Sequence, residues 1–321
     1  MHGECPSATL ESMIEVKSVT KSFGDFSALK NLSFRIENKS GITALLGPNG
    51  AGKTTTMRLL TGFLRPTSGD IYMNGLSVRD DRDLVEIKKT VGYLPENSPL
   101  YPEMLVSEFL EFMGQVRGMK GNYLEKRALE MIDALELGSH FYSPIGILSK
   151  GFRQRVALAG TLIHNPDIII LDEPTSGLDP NQILQIRNLI RELSKEKTLI
   201  LSTHIMQEVE DICERVIIIS RGQVVADENT EALRIAHSCA IVAKGEGIKE
   251  SLLSFDGVRG VWSEENSLDV PEGFTRYICQ MEKDEPEKIF SQLAVKKWEV
   301  REFAPLSKSL EDVFRELTTA Q

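Results

Sequence analysis

The sequence predicts an α/β fold with a mostly parallel sheet, followed by a small α+β domain of ferredoxin-like plan. Short apolar segments of strand size alternate with helical segments through residues 13–230, which is typical of a parallel sheet covered by helices. A glycine-rich loop with the spacing Gly-x4-Gly-Lys-Thr joins one of these strands to a helix. From about residue 231 the segments follow the order β-α-β-β-α-β, which indicates a second domain, residues 231–321.

The composition of the 321-residue chain, 41% hydrophobic and 26% charged, is that of an ordinary globular protein. The formal net charge of -10 favours neither a nucleic acid nor an anionic lipid surface, so no nucleic-acid partner is expected. The four cysteines are scattered without a CxxC pair. This pattern indicates reduced thiols in a cytosolic protein rather than a disulfide framework or a metal site.

The ends and the apolar runs of the chain predict no membrane segment. No apolar run approaches the roughly 18 residues that a membrane-spanning helix needs. Residues 1–12 are polar and lack the apolar core of a signal peptide, so we expect a disordered N-terminal extension there. The periodic sequence starts at Met13, where we expect the folded part to begin.

The first domain, residues 13–230, opens with β-rich segments and continues as strands alternating with helices. The predicted strands are residues 13–19, 29–37, 42–46, 70–73, 91–94, 167–171, 198–202 and 215–220. The predicted helices are residues 106–117, 124–137, 181–195 and 205–213, besides the helix after the glycine-rich loop. The first two of these follow a Pro-rich loop and predict a helical insert at about residues 96–160.

The second domain shows four strand segments and two helical segments before a final helix. The predicted strands are residues 239–243, 258–263, 276–281 and 298–303, and the predicted helices are residues 248–254, 286–293 and 309–317. Residues 264–273 would form the central turn. No catalytic group of residues is visible here, and Trp262 and Trp298 are assigned to the core.

The glycine-rich loop predicts a site for a nucleoside triphosphate. Its residues are Gly47, Pro48, Asn49, Gly50, Ala51, Gly52, Lys53, Thr54 and Thr55. A triphosphate needs backbone N–H groups that point inward, and glycines allow the tight turn and the close approach. The following helix adds its N-terminal partial positive charge. We expect Lys53 to reach the β- and γ-phosphates and the Thr54 hydroxyl to ligate Mg²⁺.

A second element of such sites follows the apolar segment 168–171. Asp172 and Glu173 stand at the end of this predicted strand. The first carboxylate can hold Mg²⁺ through its water shell, and the second can orient the attacking water. An Asp-Glu pair at a strand end is common by itself, but in a chain with the glycine-rich loop it becomes a functional candidate. Kinases, GTPases, motors and transporters share the glycine-rich loop, so the rest of the chain has to select among them.

Three further segments select among these classes. In chain order they are Leu148-Ser149-Lys150-Gly151-Phe152-Arg153-Gln154-Arg155, Ser176-Gly177-Leu178-Asp179 and Leu201-Ser202-Thr203-His204. With the two elements above, this order of motifs resembles the ATP-binding cassette (ABC) ATPase family over residues 13–230. GTPases are disfavoured, because the sequence contains no Asn-Lys-x-Asp element that reads guanine.

The resemblance implies a role for each matching residue in catalysis. Asp172 takes the place of the Walker B aspartate, which binds Mg²⁺, and Glu173 that of the catalytic glutamate. His204 matches the switch histidine, whose ring can hydrogen-bond a γ-phosphate oxygen. Lys53 completes the catalytic set, and ATP with Mg²⁺ is the implied ligand.

The resemblance also implies residues that contact ATP from outside the glycine-rich loop. Ser149 and Gly151 match the signature motif, whose helix N-terminus faces the γ-phosphate of ATP held by a second subunit. Asp179 matches the aspartate of the D-loop. Phe23 stands where an aromatic side chain usually stacks on adenine, with Phe26 as the competing ring.

The sequence departs from the family pattern at two places. Lys150 and Phe152 replace the first glycine and the glutamine that the signature usually contains, although Ser149 and Gly151 are retained. Glu96 follows Tyr93-Leu94-Pro95 at the position where a glutamine usually contacts Mg²⁺. A carboxylate can also ligate Mg²⁺, so Glu96 joins the metal candidates and we expect function to survive.

The function that the resemblance implies is that of the ATPase subunit of a bacterial ABC transporter. One glycine-rich loop and one signature face different partners, so the chain should pair head to tail with a second copy or a homologous ATPase. Transport then requires separate permease subunits, which would hold this cytoplasmic chain on the inner face of the cell membrane. The segments Tyr93–Glu96 and Ser309–Phe314 resemble ATPases of drug, polysaccharide and gliding-machinery exporters, which favours an exporter.

Two other functions stay open at this point. A soluble ABC ATPase that acts on ribosomes or DNA is one, although such proteins usually carry two cassettes or a long coiled coil, and neither feature is present in the sequence. A nucleotide-gated binding module without turnover is the other, and the intact Lys53, Asp172, Glu173 and His204 disfavour it. The sequence does not identify a transported substrate or the role of the second domain.

Overall fold

Apolar strands covered by helices dominate the structure, a computed structural model. It describes residues 12–38, 41–230, 238–245, 247–264, 270–271, 273–281, 285–296, 298–306, 314–315 and 318. The chain divides into two units, residues 1–228 and 229–321. The expectations for an N-terminal extension, for the turn within 264–273 and for a final helix at 309–317 fall largely outside the described residues.

The first unit contains ten strands among its described residues. They are β1 (Ser12–Phe23), β2 (Phe26–Glu37), β3 (Ile42–Leu46), β4 (Ser68–Met73), β5 (Leu76–Ser77), β6 (Val91–Leu94), β7 (Ile168–Asp172), β8 (Thr198–Thr203), β9 (Arg215–Ser220) and β10 (Gln223–Asn229). One sheet has the order β10-β9-β3-β8-β7-β6, in which β3, β6, β7, β8 and β9 pair in parallel. The other has the order β2-β1-β4-β5 with antiparallel pairs.

Seven α-helices among the described residues of the first unit connect these strands. They are α1 (Lys53–Leu60), α2 (Asp81–Thr90), α3 (Val106–Val116), α4 (Gly121–Ala134), α5 (Lys150–Leu162), α6 (Pro180–Ser194) and α7 (Met206–Ile212). Helices α3, α4 and α5 follow one another between β6 and β7, where the sequence predicts the insert. None of the helices in the described part of the chain is both long and apolar enough to cross a lipid bilayer.

The core of the first unit lies on both sides of helix α1. Met57, Leu59 and Leu60 of this helix are fully buried, in one cluster with residues of both sheets such as Ile170 and Val16. Burial of apolar side chains is the main stabilising contribution to such a core. The start of α1, which carries the end of the glycine-rich loop, is therefore fixed between two sheets rather than at a free surface.

The second unit has the ferredoxin-like plan that the sequence predicts. Its strands are β11 (Ser238–Lys244), β12 (Val258–Glu264), β13 (Thr275–Met281) and β14 (Glu299–Leu306), and its helices are α8 (Ile248–Leu253) and α9 (Pro286–Ala294). The sheet order is β12-β13-β11-β14 with antiparallel pairs. Trp298 packs against the core, as expected, but Trp262 is 42% exposed, so its assignment to the core is wrong.

Helix α2 and the short strand β5 are not among the elements that the sequence pattern predicts. The Asp80 side chain caps α2 by accepting hydrogen bonds from the backbone N–H groups of Arg82 and Asp83, at 2.7 and 3.3 Å. An aspartate before a helix is a start signal that the sequence displays. Helix α2 packs against β5 and β6, and strand β6 follows α2 directly.

Candidate functional site

The glycine-rich loop closes tightly between β3 and α1. A Cβ atom added at Gly47 would lie 2.4 Å from the carbonyl oxygen of Ile219, so no side chain fits there. Gly52, at the N-cap of α1, has φ of 111°, a conformation that favours glycine. The chain therefore turns sharply at the carboxyl end of β3, which lies in the middle of the parallel sheet. Ligands of open α/β sheets bind at this edge.

The start of helix α1 is ready to receive an anion. No side chain caps it, and its first turn contains no acidic residue. The Lys53 ammonium group is 2.7 Å from the carbonyl oxygen of Gly47 and 3.3 Å from that of Pro48. Burial lowers the pKa of Lys53, against the opposing effect of the carboxylates of Glu173, Asp172 and Glu96. The cation is thus held over the loop and surrounded by acidic groups.

A cleft of about 510 Å³ opens over this loop. Its lining residues are Phe26, Ala28, Asn49, Gly50, Gly52, Lys53, Thr54, Thr55, Glu96, Glu173, Ser176 and His204. Most of the loop and both predicted catalytic groups outside it, Glu173 and His204, therefore meet in one cavity. Gly47, Pro48 and Ala51 belong to the same loop but do not line the cleft, and Ala51 is buried beneath it.

Asp172 lies next to the cleft at the end of strand β7. It is 1% exposed, and one of its oxygens, Oδ1, accepts a hydrogen bond from the hydroxyl of Ser202 on the neighbouring strand β8. The other oxygen, Oδ2, is buried without a hydrogen-bond partner in the part of the chain described. Buried carboxylate oxygens normally have a partner, and Mg²⁺ selects oxygen ligands. Asp172, together with Thr54 and Glu96 in the cleft, therefore fits a hard divalent cation.

Glu173 and His204 form a pair at the floor of the cleft. Both carboxylate oxygens of Glu173 are 2.9 Å from Nδ1 of His204. Glu173 is 9% exposed. Burial raises the pKa of its carboxyl group, whereas the hydrogen bond and the charge of His204 and the charge of Lys53 act to lower it. A buried carboxylate oriented by an imidazole can accept a proton from water, as a general base does.

The backbone of Glu173 is held in an uncommon conformation. Its φ angle is 52°, in the left-handed region, where a non-glycine residue stores strain. The Glu173 N–H group lies 3.1 Å from the Ser202 carbonyl oxygen and 3.2 Å from the Ser202 hydroxyl oxygen. Ser202 thus contacts both acidic residues at once. The sequence pattern of residues 201–204 indicates a role for His204 but not for Ser202.

The predicted signature and D-loop residues lie outside the cleft of their own chain. Ser149 caps helix α5 and accepts a 3.3 Å hydrogen bond from the N–H of Phe152. Asp179 caps helix α6 in the same way, from the N–H of Gln182 at 3.0 Å. The side chain of Gln182 occupies the space where a Cβ atom at Gly151 would lie. The side chain of Lys150 lies against Gly177, between the two motifs.

The two aromatic candidates occupy the turn between β1 and β2, where Phe23 and Phe26 are cross-strand partners. Phe26 lines the cleft and Phe23 does not, although both rings are largely exposed, at 66% and 48%. The Lys21 ammonium group lies 5.1 Å from the centroid of the Phe23 ring. The hairpin therefore borders the cleft through Phe26.

Phosphate oxygens, a divalent cation and a general base can meet along the carboxyl edge of β3, β7 and β8 in this unit. A protein built in this way is a P-loop nucleoside triphosphatase. The chain belongs to the ATP-binding proteins of ABC transporters. The family model described as ABC transporter matches residues 29–176, and a relative that is similar over 96% of this chain is named an ABC transporter ATP-binding protein. As a member of this family it binds and hydrolyses ATP.

Three relatives illustrate the match. The uncharacterized ABC transporter ATP-binding protein YxlF of Bacillus subtilis is 38% identical over 212 residues, 66% of this chain and 69% of its own length. YhcH, an uncharacterized ABC transporter ATP-binding protein of the same organism, is 30% identical over 314 residues, 96% of this chain and 97% of its own length. The probable multidrug ABC transporter ATP-binding protein YbhF of Escherichia coli is 36% identical over 228 residues, 70% of this chain and 38% of its own length.

A solved structure shows the same fold as the first unit. It is the dimeric structure of a post-hydrolysis state of the ATP-binding cassette MJ0796, bound to ADP and Pi. It is 30% identical to this chain, with a TM-score of 0.62, and the match covers 68% of this chain and 98% of that cassette. The prediction of an ABC ATPase domain is confirmed.

Proposed function

We propose that this ATPase powers a bacterial ABC exporter, as a head-to-tail dimer bound to separate permease subunits on the inner face of the cell membrane. The observation that carries the catalytic part of the proposal is the pairing of Glu173 with His204 beside Lys53, at 2.9 Å from imidazole to carboxylate. Such an arrangement is suited to turnover rather than to binding alone. It therefore disfavours a nucleotide-gated module without hydrolysis.

In the proposed reaction the residues of this chain bind, orient and accept a proton. The loop N–H groups and Lys53 hold the phosphates, while the β1–β2 hairpin with Phe23 and Phe26 receives the adenine ring. Thr54, Asp172 and Glu96 would hold Mg²⁺, which neutralises phosphate charge when bound. Glu173 accepts the proton of the attacking water, and His204 keeps the carboxylate oriented and meets the γ-phosphate.

The dimer follows from the position of the signature residues. Ser149 and Gly151 do not line the cleft that contains Lys53, so in this proposal they act on ATP held by a second copy or a homologous ATPase. The helix α5 that Ser149 caps presents its N-terminus to that phosphate. MJ0796, the solved cassette with the same fold, is dimeric.

A second cavity is the site that we propose for the permease. It has a volume of about 450 Å³ and lies between the segment after β6 and the helices of the insert. Aromatic and apolar side chains dominate its lining, among them Phe63, Tyr93, Tyr101, Phe109 and Met113. A short amphipathic helix of a membrane protein would bury its apolar face in such a groove.

The exporter assignment rests on relatives and on the sequence of the segment before Glu96. YbhF is named as a probable multidrug ABC transporter ATP-binding protein, and it is similar to 70% of this chain. The alternative, a soluble ABC ATPase on ribosomes or DNA, has no relative among the three described above. The acidic net charge of -10 disfavours it further.

A pull-down tests the proposal directly. A tagged Glu173→Gln variant is expressed in its own host and purified from detergent-solubilised membranes with ATP and Mg²⁺, beside a tagged Lys53→Met variant. A multi-span membrane protein in stoichiometric amount with the first variant would support the transporter, and its identity would narrow the substrate. Ribosomal or DNA-repair proteins with nothing from the membrane would refute it.

Glu96 yields a separate prediction about the metal site. We expect Glu96→Gln to leave ATP binding intact and to change turnover by less than about tenfold, because an amide oxygen can replace a carboxylate oxygen as a ligand. Steady-state phosphate release over a Mg²⁺ titration measures the effect. A much larger loss at saturating Mg²⁺ would show that the negative charge of Glu96 is required.

A further inference from the structure

The side chain of Glu208 is buried between the two loops that carry the catalytic pair. It projects from helix α7 and is 1% exposed. Its Oε2 accepts a 2.7 Å hydrogen bond from the Thr203 hydroxyl, and its Oε1 accepts one from the Thr175 hydroxyl. Burying a carboxylate costs free energy unless the group is paired, so the folded protein keeps contacts of this kind formed. Neither threonine lies on α7.

Arg187 of helix α6 faces the same carboxylate. Its Nη2 atom lies 3.6 Å from Oε1 of Glu208, while its Nη1 atom lies 2.6 Å from Oδ2 of Asp211, one helical turn further along α7. Glu208 thus has two hydroxyl donors and one guanidinium group around it. Asp211 is 43% exposed and contacts the same arginine without touching either threonine, which makes it a natural control.

Each of the two threonines is close in sequence to one member of the catalytic pair. Thr175 follows Glu173 by two residues, in the segment where the chain leaves the strained left-handed conformation. Thr203 immediately precedes His204, and its hydroxyl oxygen also accepts a 3.0 Å hydrogen bond from the N–H of Ile205 on the other side of that histidine. One carboxylate therefore holds both loops at a fixed separation.

We propose that Glu208 is a positioning residue, which fixes the distance between Glu173 and His204 by binding Thr175 on one loop and Thr203 on the other. This inference rests on the proposed roles of Glu173 and His204 in hydrolysis. Strain at Glu173 persists only where its surroundings over-determine the conformation. Loss of the bridge would let the loops separate, and small displacements of a general base cost large factors in rate.

The test compares Glu208→Gln with the matched variant Asp211→Asn in the full-length chain. We expect Glu208→Gln to lower kcat by about tenfold to a hundredfold with less than about a threefold change in KM for ATP. Asp211→Asn, which removes a carboxylate beside the same arginine, should change kcat by less than about twofold. Thr175→Val and Thr203→Val should each lower kcat by about threefold to tenfold. The double variant Glu208→Gln/Thr203→Val should lower kcat no further than Glu208→Gln does alone.

Hydrogen–deuterium exchange of the nucleotide-free chain gives a second readout that needs no turnover. In Glu208→Gln the peptides that contain residues 173–178 and 203–206 should exchange at least about fivefold faster, while those of β3 and α1 keep their rates. Unchanged kcat in Glu208→Gln, or equal acceleration across the whole first unit, would refute the positioning role. If Glu208→Gln does not fold, the two isosteric threonine variants decide the question by the same criteria. The wild-type chain could lack ATPase activity while Glu208→Gln still shows the localised change in exchange. That result would refute the proposed function alone.

Discussion

Glu173→Gln should abolish turnover while leaving ATP bound. The amide keeps the shape of the side chain and one hydrogen-bond acceptor toward His204, but it cannot take a proton from water. A general base contributes about 10²- to 10⁴-fold, so we expect phosphate release to fall by at least about a hundredfold. The affinity for ATP should change by less than about threefold, because the phosphate contacts come from the loop and from Lys53.

The same variant should accumulate as a closed dimer with ATP and Mg²⁺, because hydrolysis is what lets the dimer open in the proposed cycle. Phosphate release, equilibrium ATP binding and gel filtration with multi-angle light scattering measure the three effects. Glu192→Gln serves as the control, since Glu192 lies on the exposed surface of α6 and pairs only with Lys195 among the ion pairs that the described residues form. Turnover within about tenfold of wild type would exclude Glu173 as the general base.

Lys53→Met should have the largest effect on ATP binding itself. Methionine replaces the aliphatic stem but not the ammonium group, whose Nζ lies 2.7 Å from the Gly47 carbonyl oxygen. Hydrogen bonds that involve charged groups contribute about 1.5–3 kcal/mol, so we expect the dissociation constant for ATP to rise by roughly tenfold to a hundredfold. Hydrolysis should fall further, because the γ-phosphate loses a cation where charge develops.

A fluorescent ATP analogue measures this affinity by titration, with the thermal midpoint recorded beside it. Lys88→Met, on the exposed surface of α2, removes the same charge far from the cleft and should leave both quantities unchanged. Because burial lowers the pKa of Lys53, the substitution also relieves a desolvation cost, and we expect no loss of thermal stability. An unchanged dissociation constant would remove Lys53 from the phosphate site.

The contacts of the glycine-rich loop illustrate which features a sequence reveals. The loop is contiguous, so its nine residues display their spacing without any knowledge of the fold. The same holds for the strand segments at Gly47 and Asp172: the predicted strand 42–46 has the bounds of β3, and the predicted strand 167–171 differs from β7 by one residue at each end. Both signals can be recognised from near neighbours in the chain, although strands β3 and β7 pair with strands that are distant in sequence.

Ser202 and Glu208 illustrate the opposite case. Ser202 contacts Asp172 and Glu173, about thirty residues earlier in the chain, because β7 and β8 are adjacent parallel strands. Glu208 stands on a short amphipathic helix, where a glutamate predicts a solvent-exposed position. The structure buries it instead, since the hydroxyls of Thr175 and Thr203 and the guanidinium group of Arg187 converge there.

By itself the sequence determined the α/β class, the ferredoxin-like second unit, the phosphate loop and the carboxylate pair. Each depends on periodicity or on a short motif, which local chemistry is sufficient to specify. Only the tertiary structure decided that His204 approaches Glu173, that one buried oxygen of Asp172 has no partner among the described residues, and that Glu208 joins the two catalytic loops. These features depend on the order of strands in the sheet, because that order brings distant residues within hydrogen-bonding distance.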